Sequence, residues 1–143
     1  MLRVVLDTNL FVSSVLVRHG LPAQILDAWK QRHFVLIVSP AIIAEIRSTL
    51  DYPRIRRKYP ITDDDVEGLV TLITHDAVVV PGVTSVSDVI PEDPTDERVL
   101  ATAVEGGANL IVSGDRHLLE LGEFKGIVIV TARQWLERPA ETY

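Results

Sequence analysis

Residues 94–119, PTDERVLATAVEGGANLIVSGDRHLL, carry the pattern that decides the fold: an amphipathic helix, a double-glycine break, a short apolar strand and an acid just beyond it. At 100° per residue Val99, Leu100, Ala103 and Val104 form one apolar stripe. Asp96 falls within that stripe, while Glu97 and Arg98 point elsewhere. The helix dipole favours an acid in a first turn, but an acid facing solvent would serve it equally well. An inward-facing Asp96 therefore calls for a further reason. Asp93 reads as the N-cap of this helix, with Pro94 at its first position. A later helix start would give the inward role to Asp93 instead. Behind the glycines, NLIVSG reads as a buried strand that delivers Asp115 to its carboxyl end.

The amino-terminal stretch MLRVVLDTNLFVSSVL repeats the arrangement: residues 3–6 are strand-like and run into Asp7, Thr8 and Asn9. Asn9 suits the cap of a helix over residues 10–17. A carboxylate at the carboxyl end of a strand is different, because in open α/β sheets that edge is where ligands bind. Asp115 has the same two readings, helix cap or site. Outward from these stretches, LPAQILDAWKQR places Leu21, Ile25, Leu26 and Trp29 at helical spacing, and FVLIVS reads as a strand ending at Pro40. PAIIAEIRSTL is a helix with Pro40 in its first turn. Its core stripe is Ile42, Ile46 and Leu50, with Glu45 at the stripe's edge. RIRRKYP and TDDDVEGLVTLITHD continue as helix, AVVV as a short strand, PGVTSVSDVIPEDP as a loop, IVIV as a strand and TARQWLERP as a closing helix. Unbroken apolar strands alternating with helices predict a three-layer α/β/α sandwich around a central, mainly parallel sheet. Trp29 and Trp135 are expected in its core.

The length, 143 residues, suits one domain spanning 1–143. No apolar run approaches the ~20 residues that span a bilayer, and the secretory pattern is missing, so a cytoplasmic location without membrane attachment is expected. Without cysteine there is no disulfide, thiolate nucleophile or cysteine zinc site. The net charge of −6 argues against a general polyanion-binding surface. Yet RIRRKYP gathers Arg54, Arg56, Arg57 and Lys58 beside Tyr59, while TDDDVE and PEDPTDE hold dense acid. Such a patch suits either a sequence-independent RNA contact or an acidic protein segment.

If Asp7, Glu45, Asp96 and Asp115 converge, four carboxylates would raise one another's pKa values unless cations neutralise them. Mg²⁺ or Mn²⁺ is the natural choice, since hard ions prefer carboxylate oxygen and water. His19, His33, His75 and His117 show no H-x-x-x-H spacing, which disfavours zinc.

VVLDTNLFVS, the glutamate in IIAEI, and PTDERVLATAVEGGANLIVSGDRHLL together resemble a PIN domain, specifically the VapC-type ribonuclease subunits of prokaryotic toxin–antitoxin loci. The likeness covers nearly the whole chain. It implies an acidic site of Asp7, Glu45, Asp96 and Asp115, with Asp7, Asp96 and Asp115 as metal ligands, Asn9 in support, and Ser113 where the family often has Ser or Thr. It further implies Mg²⁺- or Mn²⁺-dependent hydrolysis of RNA, a homodimer, and neutralisation by a small antitoxin. Two other readings compete. An aspartate-based Mg²⁺-dependent phosphoryl-transfer or phosphoacceptor module would want D-x-D-x-T, but Asn9 stands at the second acid, and IVIVTARQW supplies no lysine after the late strand. A non-catalytic PIN-like RNA- or protein-binding module would have no physical need for all four acids.

Overall fold

The structure is a computed structural model that describes residues 1–86 and 94–137. In chain order its elements are β1 (Arg3–Leu6), α1 (Thr8–Leu16), α2 (Leu21–Lys30), β2 (Val35–Val38), α3 (Pro40–Leu50), α4 (Pro53–Lys58), α5 (Asp63–Asp76), β3 (Val78–Val79), α6 (Pro94–Glu105), β4 (Leu110–Val112), α7 (Arg116–Leu121), β5 (Glu123–Phe124), β6 (Ile127–Val130) and α8 (Ala132–Glu137). The strands form one sheet in the order β3-β2-β1-β4-β6-β5. Every neighbouring pair is parallel except β5 and β6.

Successive side chains on a strand point to opposite faces, so burial of consecutive residues means that both faces are covered. Val4 and Val5 on β1, Leu36 and Ile37 on β2, and Leu110 and Ile111 on β4 are all essentially inaccessible. The sheet is therefore the middle of three layers, as the apolar runs predict. One hydrophobic core runs through it, joined by Ile42, Ile46 and Leu50 of α3 and by Val99, Leu100 and Ala103 of α6. Trp29 is buried, but Trp135 packs at the core's margin, half-exposed and edge-on to Phe34 at 4.9 Å. Among the described residues no helix is long and apolar enough to cross a membrane.

Strand order fixes where a site can form. From β1 the chain moves to one side through β2 and β3, then crosses to the other side for β4 and β6. The reversal falls between β1 and β4, the switch point at which open α/β sheets bind ligands beyond the strands' carboxyl ends. Leu6 is in register with Val112, and the Asp7 amide donates to the Val112 carbonyl at 3.0 Å. At the opposite end, Arg3 donates its amide to Asn109 Oδ1 and its Nε to the Gly106 carbonyl, both at 2.8 Å, pinning β4 beside β1.

Two local details depart from expectation. Helix α1 starts at Thr8, with Asp7 at the N-cap position and no side-chain cap bond, so Asn9 lies inside the first turn, exposed, and is not the cap. The strand β5 was not expected. It pairs antiparallel with β6 across Lys125 and Gly126, whose φ values of 50° and 82° make the left-handed two-residue hairpin turn. Two residues of strand are too few for a periodicity to register.

Candidate acidic site

Asp7 leaves the end of β1 with only 3% of its surface exposed. Its Oδ2 accepts a 2.7 Å hydrogen bond from Ser113 Oγ, the first residue beyond β4 and fully buried. The same hydroxyl oxygen accepts the Asp115 amide at 2.9 Å. One serine thus orients the carboxylate on one strand and the backbone of the acid on its neighbour. Asp115 Oδ1 accepts the amides of His117 and Leu118, at 2.8 and 3.2 Å, and caps α7. The cap and site readings of Asp115 are compatible, because capping holds the carboxylate at the sheet's carboxyl edge.

Helices bring up the other two acids. Thr8 is 2% exposed and points its hydroxyl toward Glu45 on α3, with Oγ1 3.5 Å from Oε2, the outer limit of a hydrogen bond. Glu45 is half-buried, consistent with its place at the edge of the α3 stripe. Asp96 is 2% exposed, while Arg98 is exposed and Glu97 lies between, as the helical stripe predicts. Helix α6 packs on β1, which leads into Asp7, and on α3, which carries Glu45. Asp93, the other candidate for the inward acid and the expected cap, lies outside the described residues. Thr8 is the contributor that sequence reasoning passed over; its only signal was its position between Asp7 and Asn9.

The donors at this edge are carboxylate and hydroxyl oxygens, the chemistry of a hard divalent ion such as Mg²⁺ or Mn²⁺. Among the described residues no group of three or more acids or imidazoles is placed to hold a metal ion. Mg²⁺ does not need one, since it is usually held by one or two carboxylates and completes its shell with water and phosphate oxygen. The Asp7 carboxylate, and Asp115 whose backbone Ser113 ties to it, are the acids at this edge that would meet that requirement.

The basic stretch forms α4, and its four cations are not equivalent. Arg56 reaches Asp51 at 2.6 Å, Asp63 at 2.9 Å and the Leu50 carbonyl at 2.8 Å, tying the end of α3 to the start of α5. The structure therefore takes Arg56 out of the expected patch as an internal brace. Arg54, Arg57 and Lys58 stay exposed, with the Lys58 ammonium 5.5 Å from the centre of the Tyr59 ring.

A three-layer sheet with linked acids at its switch point belongs to a recognisable class, and a PIN domain family model matches residues 3–117. The chain belongs to the PIN domain family, whose members are generally nucleases. Over 120 residues, 84% of this chain and 75% of the relative, it is 29% identical to the uncharacterized protein MJ1680 of Methanocaldococcus jannaschii. It also superposes, with a TM-score of 0.58 and 10% identity, on a chain from the crystal structure of VapBC2 from Rickettsia felis bound to a DNA fragment from their promoter. That match covers 90% of this chain and 97% of the other, and it is a likeness of fold.

Proposed function

We propose that this chain is a metal-dependent endoribonuclease that hydrolyses RNA phosphodiester bonds, acting as the toxin of a type II toxin–antitoxin pair. The observation that carries the catalytic reading is the Ser113 bridge, which ties the Asp7 carboxylate to the backbone of Asp115 at the switch point. Membership of a nuclease family supports it. The toxin reading, with a small antitoxin as partner, is supported by the likeness of fold to VapBC2, and the homodimer is what the family resemblance implies.

In this proposal Asp7 and Asp115 are the principal ligands of Mg²⁺ or Mn²⁺, and Asp96 is the third ligand only as the family resemblance implies. A divalent ion bound there supplies a water of lowered pKa and positive charge for the phosphate in the transition state. The protein's own part is geometric and electrostatic. Ser113 fixes the orientation of the Asp7 carboxylate, and α7 fixes Asp115. Glu45 and Asp96, on the flanking helices, orient the attacking water and take up its proton. Asn9, exposed on the first turn of α1, supports the acidic site by hydrogen bonds in this proposal.

The test is cleavage of mixed RNA in EDTA, Mg²⁺ and Mn²⁺. Cleavage is expected only with a divalent ion, and equal cleavage in all three overturns the mechanism. Asp96→Asn keeps the shape and removes the charge, so it should lower metal-dependent cleavage at least about 100-fold, on the scale of losing a general base or a charge-stabilising group. Folding should be retained or improved as carboxylate repulsion is relieved. Glu97→Gln should change little; equal losses in the two variants would contradict the assigned helical face.

A further inference from the structure

Glu105 stands in the last turn of α6, where the negative end of the helix dipole disfavours an acid. Its carboxylate is held by three consecutive backbone amides from the segment after β3. Gly82 donates to Oε1 at 2.8 Å, and Val83 and Thr84 donate to Oε2 at 2.6 and 2.7 Å. The amides of Thr84, Gly82 and Val83 hold this carboxyl below the ordinary glutamate range, outweighing the opposing effect of burial.

The anchored segment is also wedged. Gly82 has a φ of +70°, and a Cβ built there would lie 2.7 Å from Ser39 Cβ and 3.1 Å from Thr102 Oγ1. Ser39, at the end of β2, and Thr102, on α6, are both fully buried with their hydroxyls 2.9 Å apart. Beyond this seat the segment runs back along α6: Val86 is buried, and residues 82–86 share a cleft of about 380 Å³ with Glu97, Arg98 and Ala101 near the helix start. The strap thus begins beside the last turn of α6 and travels toward its first.

We infer that Glu105 is a positioning residue for the acidic site: by clamping residues 82–84 to the end of α6, it fixes that helix against β2 and so sets where Asp96 stands. The inference rests on the proposed function in counting Asp96 among the working acids. Glu105 is nine residues after Asp96, about 13 Å along the axis at 1.5 Å per residue. A packed helix of that length moves as a rod, so a restraint at one end is felt at the other. The strap is bonded to the last turn of α6 and lines a cleft with Glu97 and Arg98 nearer the first, which closes the mechanical loop.

The experiment compares the full chain with Glu105→Ala and Glu105→Gln by amide hydrogen exchange and by Mn²⁺ titration. In Glu105→Ala, exchange should rise about tenfold or more at residues 82–84 and also at 98–101 in the first hydrogen-bonded turn of α6. Glu105→Gln retains one acceptor oxygen and should fall between. Mn²⁺ affinity should weaken in the same order. Faster exchange confined to residues 82–84, with wild-type behaviour at 98–101, overturns the inference and leaves Glu105 a loop anchor. If Glu105→Ala fails to fold, the glutamine variant decides by the same pair of regions. A wild-type chain that binds no Mn²⁺ would refute the metal site itself, while the exchange data would still decide whether Glu105 is coupled to the first turn.

Discussion

Ser113 shows how much one hydroxyl decides. It has one proton, given to Asp7, and its oxygen receives the amide of Asp115, so the two acids cannot drift independently. Ser113→Ala removes a buried hydrogen bond to a charged group, a loss of about 1.5–3 kcal/mol in unfolding free energy that urea denaturation can read. Divalent-ion affinity should drop with it, because the Asp7 carboxylate then loses its fixed orientation. An alanine variant equal to wild type in both respects would show that the bridge is incidental. In the sequence the acids themselves were legible: Asp7 and Asp115 each end an apolar strand, and Asp96 lies in a countable stripe. Ser113 was visible only through family resemblance, and Thr8 only through its place between Asp7 and Asn9. A hydroxyl's role depends on what lies across from it, and periodicity carries no information about that.

At the scale of elements, strands and helices were readable wherever burial imposes a period. The boundary of α1 moved, because Asp7 takes the cap position that Asn9 had suited better. Glu105 stands out in sequence as an acid at the wrong end of a helix, yet its partners come from a loop with no pattern of its own. The double glycine reads simply as a break, but Gly106 has a second reason to lack a side chain. A Cβ there would fall 2.4 Å from Ile37 Cγ2 in the fully buried centre of β2. Gly106→Ala should therefore push α6 off the sheet and cost about 1–3 kcal/mol by overpacking. Thermal or urea unfolding of the variant checks this, and Gly107→Ala does not substitute as a control, since Gly107 sits at a φ of +62°. Stability unchanged in Gly106→Ala would mean that the helix and β2 have slack between them.

For the whole molecule the question is how a chain of net charge −6 would hold the proposed RNA substrate. Composition located the cations but not their duties: Arg56 braces α3 against α5, which leaves Arg54, Arg57 and Lys58 to face solvent. If these three are the foothold for RNA, changing them together to Gln should weaken binding and flatten its salt dependence by about 0.7 for each single-strand phosphate that is no longer neutralised. Binding would be measured with Asp7→Asn blocking cleavage. An unchanged salt slope assigns the patch to a protein partner instead. The pairing of Asp7 with Ser113 has a consequence for synthesis as well. The two residues are 106 positions apart, so the amino-terminal strand emerges from the ribosome long before its catalytic neighbour exists. At roughly 5–20 residues per second, several seconds pass in which β1 has no β4 beside it. Under the proposed function, the acidic site cannot assemble until Asp115, in the last fifth of the chain, has been translated, so an interrupted nascent chain would lack it.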